Sequence, residues 1–226
     1  MGYKLGVYGI SGKMGISVAE AAAQDSAFTS IIGYNRSAPL TLADFINTSD
    51  VIIDFSSSEG LESLLIAMGS KARPLVTGTT GLKESTRGML QQLSKEMPIL
   101  YSENFSIGLS ACLMAIKLLS QYLPDSFTIT MQETHHIHKK DSPSGTALAL
   151  ARATNKTVPI TSIREAEIIG RHQMFFSSPL EQIELTHEAF SRRIFADGAL
   201  FAAKALLLKP KGLYSLADIL SSGKPL

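Results

Sequence analysis

The feature that most constrains this chain is a rhythm in its N-terminal half. Short apolar runs at Tyr3–Tyr8, Ser30–Tyr34, Val51–Phe55, Leu75–Thr77 and Ile99–Tyr101 alternate with helix-forming stretches near 16–24, 59–68 and 84–95. Short runs with little polar alternation suit strands buried on both faces, and such strands joined by helices form a parallel sheet with helices on either side. The expected fold class is α/β, a doubly wound parallel sheet.

The first run leads into Gly9-Ile10-Ser11-Gly12-Lys13-Met14-Gly15. A dinucleotide turn needs a glycine where the chain bends, small residues where a pyrophosphate meets the helix start, and a glycine where helix packs on strand. The spacing here is G-x-x-G-x-x-G, with Ser11 where the commoner fingerprint has glycine, so the turn gains its meaning from context. Asn35 and Arg36 end the second strand, about twenty residues on, where an adenosine ribose is read. Asn35 can hydrogen-bond either sugar and Arg36 can pair with a 2′-phosphate, so NADPH is expected to be accepted. Ligands of such sheets lie beyond the carboxyl ends of the strands, which places Gly78-Thr79-Thr80 and Ser102-Glu103-Asn104-Phe105 at the nicotinamide half of the cofactor.

From Ile107 to Leu123 runs an apolar helix, and beyond it the pattern turns mostly to strand: Phe127–Glu133, Ala166–Ile169, His172–Phe176 and Gln182–His187. That implies a separate α+β unit, with Gln182–His187 alternating as a strand with one wet face. His172 and His187 read as polar-face or hydrogen-bonded strand residues without chemistry. A helix near 196–208 and a short one near 216–220 finish the chain and can pack back on the first domain.

Residues 133–147, Glu-Thr-His-His-Ile-His-Lys-Lys-Asp-Ser-Pro-Ser-Gly-Thr-Ala, hold three of the five histidines together with two lysines. A strand enters this cluster and a helix leaves it, with unpaired amides expected at the helix start. Cations beside free N–H groups suit a substrate with one or two carboxylates and leave donors to move a proton. No metal is expected, because Lys139 and Lys140 repel a cation and the single cysteine, Cys112, lies elsewhere in an apolar run. Cys112 is expected to pack in the core, and one cysteine excludes an internal disulfide.

A net charge of +1 gives no footprint for nucleic acid or an anionic membrane. The chain opens on Leu5-Gly6-Val7-Tyr8 with no room for a signal peptide, and its longest apolar stretch, 199–208, is too short to span a bilayer, so a cytoplasmic protein is expected.

With these residues in view, the sequence resembles the dihydrodipicolinate reductases of diaminopimelate and lysine synthesis. The carriers are Gly9–Gly15, Val51–Phe55 with Glu59-Gly60, Gly78-Thr79-Thr80-Gly81, Asn104-Phe105-Ser106, the block from Glu133 to Ala147, and Ser191-Arg192 through Phe195–Ala199. The resemblance implies a Rossmann-like cofactor domain of 1–106 and 196–226, with a second α+β domain of 107–195 for substrate binding and oligomerisation, built on an open mixed sheet. It implies a reaction in which hydride from NADPH or NADH reduces the cyclic dicarboxylate formed from aspartate semialdehyde and pyruvate, and an assembly that is a homotetramer or a homodimer.

Carried over, His135 corresponds to the family's acid/base histidine and Lys139 to its proton-donating lysine. Spacing alone does not separate Lys139 from Lys140 or His138. His136, Gly145 and Thr146 correspond to substrate contacts. Gly9 to Met14, Gly78 to Thr80 and Ser102 to Phe105 correspond to cofactor contacts.

Three departures from the family pattern stand out. Asn35 replaces an acid seen in many relatives. The segment Ser37–Asp44 is short, implying that a strand and helix are trimmed. A glycine-rich loop is missing between Lys156 and Arg164. Two rival readings are another aspartate-pathway dehydrogenase and a catalytically silent dinucleotide sensor. A semialdehyde dehydrogenase needs a nucleophilic cysteine, which Cys112 is badly placed to be, and a sensor needs no proton donor.

Overall fold

In a computed structural model, which describes residues 2–69, 71 and 73–221, the chain divides into two compact units. One comprises the chain up to Phe105 together with the part from Arg193 onward, and the other is Ser106–Arg192.

The first unit is built on a parallel sheet of six strands in the order β10-β5-β4-β3-β1-β2. These are β1 (Tyr3–Tyr8), β2 (Phe28–Tyr34), β3 (Val51–Asp54), β4 (Leu75–Thr77), β5 (Pro98–Tyr101) and β10 (Gly212–Tyr214). Every residue of β3 and β4 is buried, as expected of central strands covered on both faces. One face is covered by α1 (Lys13–Ala22), α7 (Arg193–Leu206) and α8 (Leu216–Ser221), whose Val18, Ala21, Ala199, Ala203 and Leu206 share a core with Leu5, Val7, Ile53 and Val76. The other is covered by α2 (Leu42–Thr48), α3 (Ser58–Met68) and α4 (Glu84–Leu93), where Phe45, Leu61, Leu64 and Leu90 pack with Ile52, Leu75 and Ile99. The order reverses at β1, between β2 and β3, and that reversal opens a crevice at the strands' carboxyl ends.

Two elements of this unit differ from expectation. Between β2 and β3 the helix α2 is present, started by Thr41, whose hydroxyl accepts from the amide of Asp44 at 3.1 Å. At the far edge stands β10, three residues long, which the sequence did not announce.

The second unit is a mixed sheet in the order β7-β6-β8-β9, formed by β6 (Thr128–His135), β7 (Ile160–Arg164), β8 (Gly170–Ser177) and β9 (Gln182–Ala189). β6 runs parallel to β7 and antiparallel to β8. One face packs on α5 (Ile107–Tyr122) and α6 (Gly145–Arg152) through Ile129, Met131, Met174, Phe176, Ile116 and Leu150. The alternate residues Thr128, Thr130, Glu184 and Thr186 are exposed. The strand expected at Ala166–Ile169 is not formed. The strand lies at Ile160–Arg164 instead, and Ala166 sits in a turn with φ of 44°, a conformation that cannot continue a strand. The boundary expected at 195/196 falls inside α7, which begins at Arg193. Cys112 is half-buried on α5 rather than in the core, and burial pushes its thiol pKa up.

Candidate active site

In the first unit a cavity of about 420 Å³ is lined by Tyr8, Gly9, Ser11, Asn35, Arg36, Ser37, Ser56, Ser57 and Gly60. It lies at the ends of β1, β2 and β3, where the order of strands reverses. Gly9 has φ of 84°, and its carbonyl accepts from Gly12 N–H at 3.0 Å, closing the turn. A Cβ on Gly15 would stand 2.2 Å from the Gly9 carbonyl oxygen, so only glycine lets α1 start this close to the strand. Gly12 precedes α1 without a side-chain cap, which leaves the first amides of the helix for an anion. Lys13 is exposed, while Ile10 and Met14 lean on the core. These residues fit a dinucleotide's pyrophosphate.

Asn35 is partly committed to its own loop, since its side-chain oxygen accepts from Ser37 N–H at 2.9 Å. Arg36 is exposed beside it.

The loops after β3 and β4 are joined by a residue the sequence reading passed over. Asp54 is fully buried, and its Oδ2 accepts from the hydroxyls of Thr77 at 2.7 Å and Thr79 at 2.8 Å, while Oδ1 accepts from Ser56 N–H at 3.0 Å. Burial pushes its carboxyl pKa up against these hydrogen bonds. Of the expected nicotinamide loop, Thr79 thus points inward, Thr80 is exposed, and the Phe55 ring lies where a side chain on Gly78 would be. In the next loop Ser102 Oγ donates to the Asn104 carbonyl at 2.6 Å, Glu103 accepts from Tyr101 Oη at 3.0 Å, and Phe105 is a core residue packed edge-on against Phe55.

In the second unit β6 delivers His135, and the loop that follows carries His136 and Lys139, with a turn closed by Lys139 N–H to the His136 carbonyl at 3.0 Å. Ser144 caps α6, accepting from Ala147 N–H at 3.1 Å. The amides expected to be free at this helix start are not all free. Ser144 already holds the Ala147 amide, and Asp141 accepts from the Lys139 ammonium at 2.9 Å, which, with the nearby Gly145 amide contributing least, holds its carboxyl below the usual carboxylate range. Lys139 is partly buried, whereas His138 and Lys140 are exposed.

His135 is 6% exposed, next to the wholly buried Glu133 on the same face of β6. Its Nδ1 contacts Glu133 Oε2. Arg164 places Nη2 3.0 Å from Glu133 Oε1 and also donates to the carbonyls of Asp141 at 2.6 Å and Lys139 at 3.3 Å. Burial pushes the Glu133 carboxyl up, but Ser162, Arg164 and His135 outweigh it and hold it below its ordinary value. Burial pushes His135 down, with Lys139 and Arg164 adding to that and Glu133 opposing it.

Across from them His172 lies edge-on to His135 at 5.1 Å between ring centres, and its pKa is lowered to about 4, chiefly by burial. His187 contacts Ser106 Oγ through Nε2 at 3.0 Å. Ligand-type atoms of Glu133, His135 and His172 fall within 4.8 Å of one another. A cation there would compete with Arg164 and Lys139, so the arrangement reads as a close-packed charged cluster that Arg164 already neutralises.

Glu133, Arg164 and Asp54 were given no role from the sequence. For Glu133 the signal was present: Ile129, Met131, Glu133 and His135 follow one another at the strand's period, which puts a carboxylate and an imidazole on the apolar face.

Comparison with known proteins follows the same division. The family descriptions "Dihydrodipicolinate reductase, N-terminus" and "Dihydrodipicolinate reductase, C-terminus" match residues 3–105 and 108–220. The 4-hydroxy-tetrahydrodipicolinate reductase of Xanthomonas campestris pv. campestris (strain B100) is 36% identical over 231 residues, covering 96% of this chain and 97% of its own. Its namesake from Caldanaerobacter subterraneus subsp. tengcongensis is 34% identical over 249 residues, covering 97% and 99%. Among solved structures, a dipicolinate-bound dihydrodipicolinate reductase from Paenisporosarcina sp. TG-14 shares the fold with a TM-score of 0.82 at 21% identity, covering 97% of this chain and 100% of that one. The chain belongs to the dihydrodipicolinate reductase family.

Proposed function

We propose that this protein is an NAD(P)H-dependent oxidoreductase that converts 4-hydroxy-tetrahydrodipicolinate to tetrahydrodipicolinate in lysine and diaminopimelate synthesis. The observation that carries the reading is the second unit's junction of strand end, cationic loop and helix start, in a chain whose full-length relatives bear that name. His136 and the start of α6 at Gly145 and Thr146 bind the substrate's carboxylates. Lys139 supplies a proton and a positive charge, which stabilises the negative charge that hydride transfer builds on the ring. His135 handles a proton, with burial holding its pKa below the ordinary imidazole value. The reduced nicotinamide, when bound, supplies the hydride.

Unit 1 is the cofactor-binding domain in this proposal. The amides around Gly9, Ile10, Ser11, Gly12, Lys13 and Met14 hold the pyrophosphate, Asn35 and Arg36 read the ribose, and the loops at Gly78–Thr80 and Ser102–Phe105 hold the nicotinamide half. NADPH or NADH serves, and Arg36 favours NADPH.

The partner is a small cyclic dicarboxylate, with no role for nucleic acid or membrane. Among the described residues no helix is long and apolar enough to cross a membrane, and the cytoplasm is the proposed location. The exposed face of the second unit's sheet, with half-buried Phe175 among threonines, supports pairing between subunits as a homotetramer or homodimer.

The test is a coupled assay with NADPH and NADH side by side. Cofactor oxidation is expected only when aspartate semialdehyde and pyruvate have been condensed. Cofactor binding without that turnover would replace this reading with a silent sensor.

A further inference from the structure

Glu133 and Arg164 form an arrangement that the reaction alone does not require. A carboxylate with no exposed surface is costly unless it is compensated. Here Oε1 accepts a hydrogen bond from Arg164, while Oε2 lies in close ion-pair contact with the His135 ring, without a hydrogen bond of good geometry. The parallel register of β6 and β7 produces this, since it pairs His135 with Arg164 and Glu133 with Ser162. The same guanidinium then reaches the carbonyls of Lys139 and Asp141. One side chain therefore ties the strand bearing His135 to the loop bearing Lys139.

The far side of the imidazole is different. A Cβ added to Gly170 on β8 would stand 3.0 Å from His135 Nε2, so the glycine keeps a side chain off that nitrogen.

Resting on the proton-handling roles proposed above for His135 and Lys139, we propose that Glu133 and Arg164 are positioning residues for that pair. Glu133 holds the Nδ1 side of His135, which makes Nε2 the working nitrogen. Arg164 fixes the distance from that imidazole to the Lys139 loop. The charged and titratable groups facing His135 are Glu133 on its own strand, Arg164 on β7, His172 on β8 and Lys139 on the loop, with His187 on β9 facing His172. Glu133 is the only anion among them, so its loss moves His135 in one direction. A purely structural ion pair would affect stability without selecting a nitrogen.

Glu133→Gln is the discriminating variant. A carboxamide has one accepting end, so it must turn a donor toward either the imidazole N–H or the guanidinium. The limb of the kcat–pH profile that belongs to His135 is expected to move to lower pH by about one unit or more, because an adjacent negative charge is lost. Turnover should fall about tenfold to a hundredfold through misplacement, with NADPH affinity unchanged. Arg164→Lys, which cannot reach all these acceptors at once, should lower kcat with KM for NADPH unchanged.

Wild-type kcat in Glu133→Gln, or a fall in kcat with the pH limb in place, overturns the proposal. The wild-type protein gives a test independent of variant folding. Its His135 imidazole, assigned in nitrogen NMR spectra by its loss in His135→Gln, should carry its neutral-form proton on Nδ1, and a proton on Nε2 overturns the proposal. Retained turnover in His135→Gln removes the role of His135 and the positioning with it. Lost turnover in His135→Gln beside wild-type behaviour in Glu133→Gln removes the positioning alone.

Discussion

The hydroxyl of Thr79 donates to the carboxylate of Asp54 at 2.8 Å, joining two loops of the first unit that follow adjacent strands. The carboxyl's raised pKa has a definite sign in stability. The contribution of a group raised in the fold is fully present below its unfolded value, about 3.9, and is lost as pH rises through the folded value. Asp54→Asn, which never ionises, should therefore gain on the wild type as pH rises from about 4 toward 8. Urea midpoints of both proteins across that range test it, and a constant difference would mean that Asp54 titrates as in the unfolded chain.

His172 carries the opposite sign. Its pKa of about 4 lies below the unfolded 6.5, so its contribution is present above 6.5 and is lost as pH falls toward 4. The full span corresponds to roughly 3 kcal/mol. His172→Gln should flatten the decline in stability between pH 6.5 and 4, read as melting temperature against pH. An unchanged decline would show that other groups govern acid sensitivity.

Lys139→Ala should lower kcat by about a hundredfold or more, with KM for the cofactor unchanged, if it donates the proton. The neighbouring Asp141 occupies the Lys139 ammonium and lies beside the Gly145 amide, the donors an incoming carboxylate would use in the proposed reading. Asp141→Asn should accordingly lower substrate KM by up to about fivefold, the scale of an exposed charge pair. A higher KM would mean that Asp141 organises the loop for binding instead of competing there.

In the proposed reading, cofactor choice turns on Arg36. Arg36→Ala should raise KM for NADPH by about tenfold or more while leaving KM for NADH nearly unchanged, since only NADPH carries a 2′-phosphate on the adenosine ribose. Equal losses with both cofactors would assign Arg36 to the shared ribose.

How much of this was legible in the sequence depends on where each signal resides. Val51, Ile52 and Ile53 are completely buried, and burial on both faces writes itself as a continuous apolar run. β10 has only three residues at a sheet edge, too few to show a period. Ile160–Arg164 was missed because its Thr-Ser centre dilutes the apolar pattern, while Ala-Glu-Ile-Ile downstream looked more like a strand than the turn it forms. Among site residues, the glycine turn and the His135–Thr146 stretch are local and could be read directly. Arg164 meets Glu133 across 31 positions through strand register, and Asp54 meets Thr79 across 25. Pairings of that kind exist only once the sheets have formed.

The first unit's sheet has a consequence for how the chain is made. Its first five strands are synthesised early, yet α7 and α8, which bury Ala199, Ala203, Leu206 and Ile219 against one face of them, come after the whole of the second unit. A ribosome therefore releases that face with only α1 upon it and must finish most of the polypeptide before the rest of its lid exists. Chaperone capture would be expected during this interval, and a clipped C-terminus should unravel the N-terminal half first.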